Sequence, residues 1–212
     1  MKKRFVACVI FSLLVATALT AAVKWPADKV AAAIAEKDYT KIFTAYGAFD
    51  DDKDKTVNAS IEEFFTANRD ATIAEVQLCL NGSKYAGKPR KGAINAAEYL
   101  KAVECLPGIE ASIPKEIDFD IRFQLTDALD AIDQASSQPL VIAQLEREKD
   151  LYVTANLARY LSRHPAAGSM ELLKTKKEYF HKIRMTKDTS AILAEMELDN
   201  AIGALKRLEG AQ

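Results

Sequence analysis

Along most of this chain apolar residues recur every three or four positions, the spacing of one helix face. In "YTKIFTAYGAF" Ile42, Tyr46 and Phe49 fall on one such face. Pro26 and Asp28 precede "KVAAAIAEK" and suit a first helical turn, where proline's missing N–H has no helical partner to lose. Three further helices are predicted to open on Ser60-x-x-Glu63, Thr72-x-x-Glu75 and Asn95-x-x-Glu98, two capping boxes and a weaker relative. The last of these runs to Pro107-Gly108, and the Gly-, Lys- and Pro-rich stretch from Asn81 to Gly92 reads as an exposed loop.

The second half is patterned differently. In "EIDFDIRFQL" Ile117, Phe119, Ile121, Phe123 and Leu125 alternate with polar residues, a strand period. Ile121, Leu125, Leu129 and Ile132 also share a helix face, and a helix over about 118–135 is the favoured reading. A long helix is predicted from Pro139 to about Arg163. Another follows, capped by Ser169 and running to about Met185, and a last one covers 188 to 208. Long helices joined by short breaks imply antiparallel neighbours. The fold class expected is therefore all-α: a multi-helix bundle with short helices in the N-terminal part and long antiparallel helices in the C-terminal part.

The first residues do not belong to that bundle. Lys2, Lys3 and Arg4 precede an apolar run from Phe5 to Leu19 and then small residues, the order of a secretory signal peptide. The run falls short of the roughly 20 residues of a spanning helix, and Thr20 with Ala22 places cleavage near Ala22. The organisation expected is a leader over 1–22, a short-helix region over 23–107 and a long-helix region over 108–212. No stable membrane anchor then remains, and the location is periplasmic or secreted. Removing the leader takes 29 basic residues to 26 against 30 acidic ones, a net charge of −4. That charge carries no footprint for nucleic acid, which calls for clustered Lys and Arg. Cys8 leaves with the leader. Cys79 and Cys105 then form an even pair, which in an exported chain reads first as a disulfide stapling the short-helix region.

Candidate chemistry is concentrated in "FDDDKDKTVNASIEEFF", residues 49–65. With Asp50 as position 1 of a twelve-residue calcium loop, Asp52 and Asp54 fall at 3 and 5, Thr56 at 7, Val57 at 8 and Asn58 at 9. Lys55 replaces the turn glycine, and Glu62 arrives one residue late. Starting at Asp52 puts Glu63 at position 12 but Val57 at the glycine position. In "KGAINAAEYLKAV" Gly92, Ile94 and Glu98 match positions 6, 8 and 12, although "GKPRK" before them has no acidic residue. Glu62 and Glu98 lie 36 residues apart, about the repeat such a pair would have. Residues 38–104 thus resemble a degenerate EF-hand pair. The resemblance implies that Val57 and Ile94 face each other across a short two-stranded link. It also implies a low-affinity calcium site of Asp50, Asp52, Asp54, Asn58 and Glu62. The alternative reading of the same stretch is an acidic connection between helices.

No HExxH, GxSxG or phosphate-binding glycine loop is present. The two histidines, His164 and His181, read as helix-end and surface residues. The functional expectation is an exported helical protein that acts without catalysis by binding another protein, with no cofactor or at most weakly held calcium.

Overall fold

Three aspartates set where helices begin. Asp38 accepts from the backbone N–H of Lys41 at 3.1 Å, and Asp118 from that of Ile121 at 3.2 Å. Asp150 accepts from Tyr152 N at 2.8 Å and Val153 N at 3.1 Å. Each satisfies N–H groups that have no partner inside their own helix. The computed structural model describes residues 26–48, 55–82, 84–186 and 191–210, so the leader lies outside the described residues. Among the described residues every regular element is helical. The order is α1 (Ala27–Glu36), α2 (Tyr39–Tyr46), α3 (Lys55–Ala67), α4 (Arg69–Leu80), α5 (Lys88–Tyr99), α6 (Leu106–Ser112), α7 (Phe119–Ile132), α8 (Gln138–Arg147), α9 (Leu151–Arg163), α10 (Met170–Thr186) and α11 (Ala191–Gly210). Short 3₁₀ turns occupy Val103–Cys105, Ile113–Lys115 and Ala135–Ser137.

The all-α bundle expected from the sequence is what the chain forms. The alternating stretch is helical, with Ile121, Leu125, Leu129 and Ile132 buried on one face of α7. Several local expectations need correction. The capping-box residues lie inside helices, because α3 starts at Lys55 and α4 at Arg69. Ser60 Oγ donates back to Thr56 O at 2.9 Å, and Thr72 Oγ1 donates to Asn68 O at 3.0 Å. A hydroxyl can bond to the carbonyl four residues earlier as well as forward to an N–H, so the motif alone does not fix a boundary. Helix α5 begins at Lys88, so the loop expected to reach Gly92 ends at Gly87. The long helix expected from Pro139 to Arg163 is two helices, α8 and α9. They part at Glu148, whose Oε1 accepts from Lys149 N and Asp150 N, each at 3.0 Å.

Helix α9 is the centre of the C-terminal part. Val153, Leu157, Ala158, Tyr160 and Leu161 are all buried, and its largest interface is with α11. Arg159 and Arg163 tie it to α7, through Asp127 at 2.9 Å, Asp130 and Asp133. In the N-terminal part α2 lies directly on α5, and α5 in turn packs on α7. One apolar cluster runs from Val30 on α1 to Leu205 on α11.

The contact of α2 with α5 is made at the backbone. A Cβ on Gly92 would lie 1.9 Å from the carbonyl oxygen of Phe43, and one on Gly47 2.3 Å from that of Lys88. Both distances are far inside van der Waals contact, and the obstructing atoms belong to the main chain.

The two cysteines are not bonded to each other. Both are free and buried, which corrects the expected disulfide. Cys79 Sγ points at Arg90 O at 3.9 Å, inside the core next to the start of α5. Burial pushes its thiol up to about 11, with Arg90 pulling weakly the other way. Cys105 is pushed up to about 12, by burial first and then by Glu104. Each behaves as a small apolar side chain that fills core volume, so neither needs the other as a partner.

Two outcomes follow. Gly92→Ala should lower stability by about 1–3 kcal/mol or more, the cost of overpacking a tight contact. Gly108→Ala, whose new Cβ would meet only the Leu80 side chain at 3.0 Å, should cost clearly less in the same urea titration. Equal losses would mean that the α2–α5 approach is not a fixed contact. In native protein at pH 8, Cys79 and Cys105 should resist alkylation, and both should react after unfolding without reductant. Peptide mapping that finds them linked would restore the disulfide.

Candidate functional site

The α2–α5 contact places the end of α2 beside the second half of α5, and α3 and α7 close the other two sides. The result is a cleft of about 570 Å³. Helix α2 contributes Tyr46, and α3 contributes Asn58 and Glu62, one turn apart on the same face. Helix α5 contributes Lys91, Asn95, Glu98 and Tyr99, and α7 contributes Phe123, Gln124 and Asp127. The positions on each helix follow the three- and four-residue steps that bring side chains to one face.

The lining has three aromatic rings and a surplus of acceptor oxygens. The Tyr46 hydroxyl donates to Glu62 Oε1 at 3.1 Å. Burial, with the Glu62 charge added to it, holds that phenol far above its ordinary range, so it stays a donor. Asp127 is raised by burial, against the opposing pull of Arg159 at 2.9 Å. Oδ1 of Asn58 and Oδ1 of Asn95 are buried and accept no hydrogen bond among the described residues. A buried acceptor left unmade costs about 1–3 kcal/mol, and two of them lie on residues of the cleft wall.

The structure separates the residues of the calcium reading. Asp50, Asp52 and Asp54 lie outside the described residues. Asn58 and Glu62 are on α3, and both line the cleft. Thr56, Val57 and Asn58 are helical, and the Thr56 carbonyl accepts from Ser60 Oγ. Val57 and Ile94 are buried on α3 and α5, so they form no two-stranded link, which corrects the implication of the EF-hand resemblance. Gly92 is likewise a helix residue, and the need that selects glycine there is the Phe43 carbonyl, not a loop turn. Among the described residues no group of three or more His, Cys, Asp or Glu side chains is arranged to hold a metal ion. His164 bonds to Asp133 at 2.8 Å, and His181 lies 3.2 Å from Glu195.

A second feature adjoins the cleft through Phe123. The rings of Phe119, Phe123 and Tyr152 lie 6.3–6.5 Å apart in a mutual cluster. Phe119 and Tyr152 are 39% and 42% exposed, and Ile117 just before them is 93% exposed. Tyr99, on α5 in the cleft wall, is 42% exposed as well. From the sequence, Tyr99, Phe119 and Phe123 are expected in the core and Tyr152 is not singled out; the exposure of Tyr99 and Phe119 corrects that expectation. The available signal was the strand-like alternation itself: on a helix that buries Ile121 and Leu125, Phe119 is left exposed and Phe123 half-buried at the edge of the core.

The chain matches no protein-family model, no curated protein and no solved structure.

Proposed function

We propose that this is an exported, non-catalytic helical protein that binds another protein through the face where α7 begins beside the start of α9. The observation that carries the reading is the cluster of Phe119, Phe123 and Tyr152, in which Phe119 and Tyr152 are exposed and Phe123 is half-buried, with the exposed Ile117 two residues before Phe119. Scattered exposed apolar residues are ordinary, but a contiguous group rimmed by polar residues marks an interaction surface. Aromatic side chains supply large contact area with few rotatable bonds and dominate the anchoring positions of interfaces. The polar lining of the cleft adjoins this cluster through Phe123. Export rests on the leader pattern of residues 1–22. Among the described residues no helix is long and apolar enough to cross a membrane.

A photo-crosslinking residue at position 119 or 152, introduced into the chain in its source cells, should give an adduct of one and the same size from both positions. Glu171, with a side chain 85% exposed on α10, is the control and should give none. Equal labelling from Glu171, or adducts only between copies of this chain, would overturn the reading. Phe119→Ala and Tyr152→Ala should abolish partner binding at small cost in stability. Phe43→Ala, which empties a fully buried ring position, should cost about 3–5 kcal/mol.

A further inference from the structure

We propose that the outer face of α11 pairs two copies of this chain in an antiparallel, two-fold contact. The contact uses none of the residues of the protein-binding reading and does not rest on it. Three observations carry it.

The first is a glycine that the fold does not require. Gly203 lies inside α11, the longest helix among the described residues. Glycine is the least favourable residue after proline in a helix interior. At Gly47 and Gly92 a backbone contact within the chain demands it. Among the described residues nothing demands it at Gly203. A Cβ there would meet only Arg207 Nη1, at an ordinary 3.6 Å, and its φ is not positive. What glycine supplies at such a place is room for a group from outside.

The second is the shape of the face around it. Ala191, Ala194, Leu198, Ala201 and Leu205 are buried, and α11 packs on α9 and α10. Ile192, Leu193 and Met196 are exposed instead, Met196 to 51%. Ile192, Met196, Gly203 and Arg207 follow one another at four, seven and four residues, so they form one stripe along the helix. That spacing is the same from either end. In an antiparallel pair each Met196 therefore comes level with the other copy's Gly203, and each Ile192 with the aliphatic stem of the other copy's Arg207. A flexible thioether set over a glycine fills the space that the missing side chain leaves. A self-complementary patch of this kind is what a two-fold interface needs.

The third is charge. The first half of the face carries Glu197 and the second half Arg207. Antiparallel pairing brings each carboxylate towards the other copy's guanidinium, whereas parallel pairing sets like against like. Glu197 also accepts from Asn200 at 3.1 Å, and its neighbours Glu195 and Asp199 are held by Arg184 and Lys177 of α10. Charge here sets orientation more than strength. One helix face is smaller than a standard interface, so the dimer is weak and reversible.

Sedimentation equilibrium of the purified protein should show monomer and dimer exchanging with a Kd of about 10–100 μM. Met196→Ala should weaken the dimer roughly tenfold, as loss of an interface anchor does. Gly203→Ala should also weaken it roughly tenfold, by overfilling the contact. The same substitution should raise the urea midpoint, because alanine suits a helix interior better. A fall in that midpoint would show a glycine needed by the fold and would overturn the inference. Copies with Met196→Cys mixed with copies with Gly203→Cys should crosslink under a mild oxidant faster than either variant alone, and equal rates would refute the register. A wild-type protein that stays monomeric at its highest soluble concentration would also overturn the inference. So would a dimer that survives both alanine substitutions, or one lost in Phe119→Ala. If the monomer instead floats with phosphatidylglycerol vesicles, the face is a membrane contact and the inference is wrong. A dimer that behaves as expected while the crosslinks from positions 119 and 152 are absent leaves this inference standing and the protein-binding reading refuted.

Discussion

The backbone contact between Gly92 on α5 and Phe43 on α2 is the constraint on which the cleft depends. Two helices can approach this closely only where neither carries a side chain at the crossing, and Gly47 and Gly92 supply both sides of it. The approach turns Tyr46, at the end of α2, towards α3, where its hydroxyl meets Glu62. It also fixes the face that α5 presents beyond the crossing. Asn95, Glu98 and Tyr99 follow Gly92 at three, six and seven residues, so they line a wall whose position is set by a contact with no flexible atoms in it. Helix α7, which also packs on α5, closes the cleft with Phe123 and Asp127.

The aromatic cluster depends on a different anchor. Glu148, 5% exposed, ends α8 and gathers neighbours from three helices. Its Oε2 accepts from Arg122 Nε on α7 at 3.0 Å and from Gln144 Nε2 on α8 at 2.8 Å, and its main-chain carbonyl accepts from Lys176 Nζ on α10 at 2.6 Å. A buried carboxylate is tolerated when its lone pairs are filled in this way. Burial lowers Lys176, whose ammonium donates to this main-chain carbonyl, against the opposing charge of Glu148. Arg122 precedes Phe123, and Glu148 lies just before the turn that starts α9 at Leu151 and Tyr152. One ion pair therefore sets the spacing of the rings on which the proposed partner would sit.

Much of the architecture was legible because helical periodicity is a repeated signal. Ile121, Leu125, Leu129 and Ile132 prevailed over the alternation of Phe119 and Phe123, since all four on one stripe reach the core while Phe119 stays exposed and Phe123 is only half-buried. Boundaries were less legible. Ser60 and Thr72 have the same side chains whether they cap a helix or bond backwards within one, and the choice was made by apolar residues upstream, such as Val57. Glycine was the least legible residue. Gly92 fits a calcium-loop position in sequence, yet its reason is a carbonyl more than forty residues away in the chain. Cys79 and Cys105 read as a pair by count, while the fold uses each as core volume. Of the candidate site, Asn58 and Glu62 were singled out from the acidic stretch. Tyr46, Asn95, Glu98, Tyr99 and Asp127 could be joined to them only by tertiary packing.

The central claim is that α2 and α5 meet backbone to backbone at Gly47 and Gly92, and that this contact places the walls of the cleft. Nuclear Overhauser effects within the folded protein measure it directly. The account expects contacts between the α-protons of Gly92 and the amide proton of Gly47, and between the α-protons of Gly47 and the amide proton of Gly92. Their absence from the spectrum of the folded protein would contradict it.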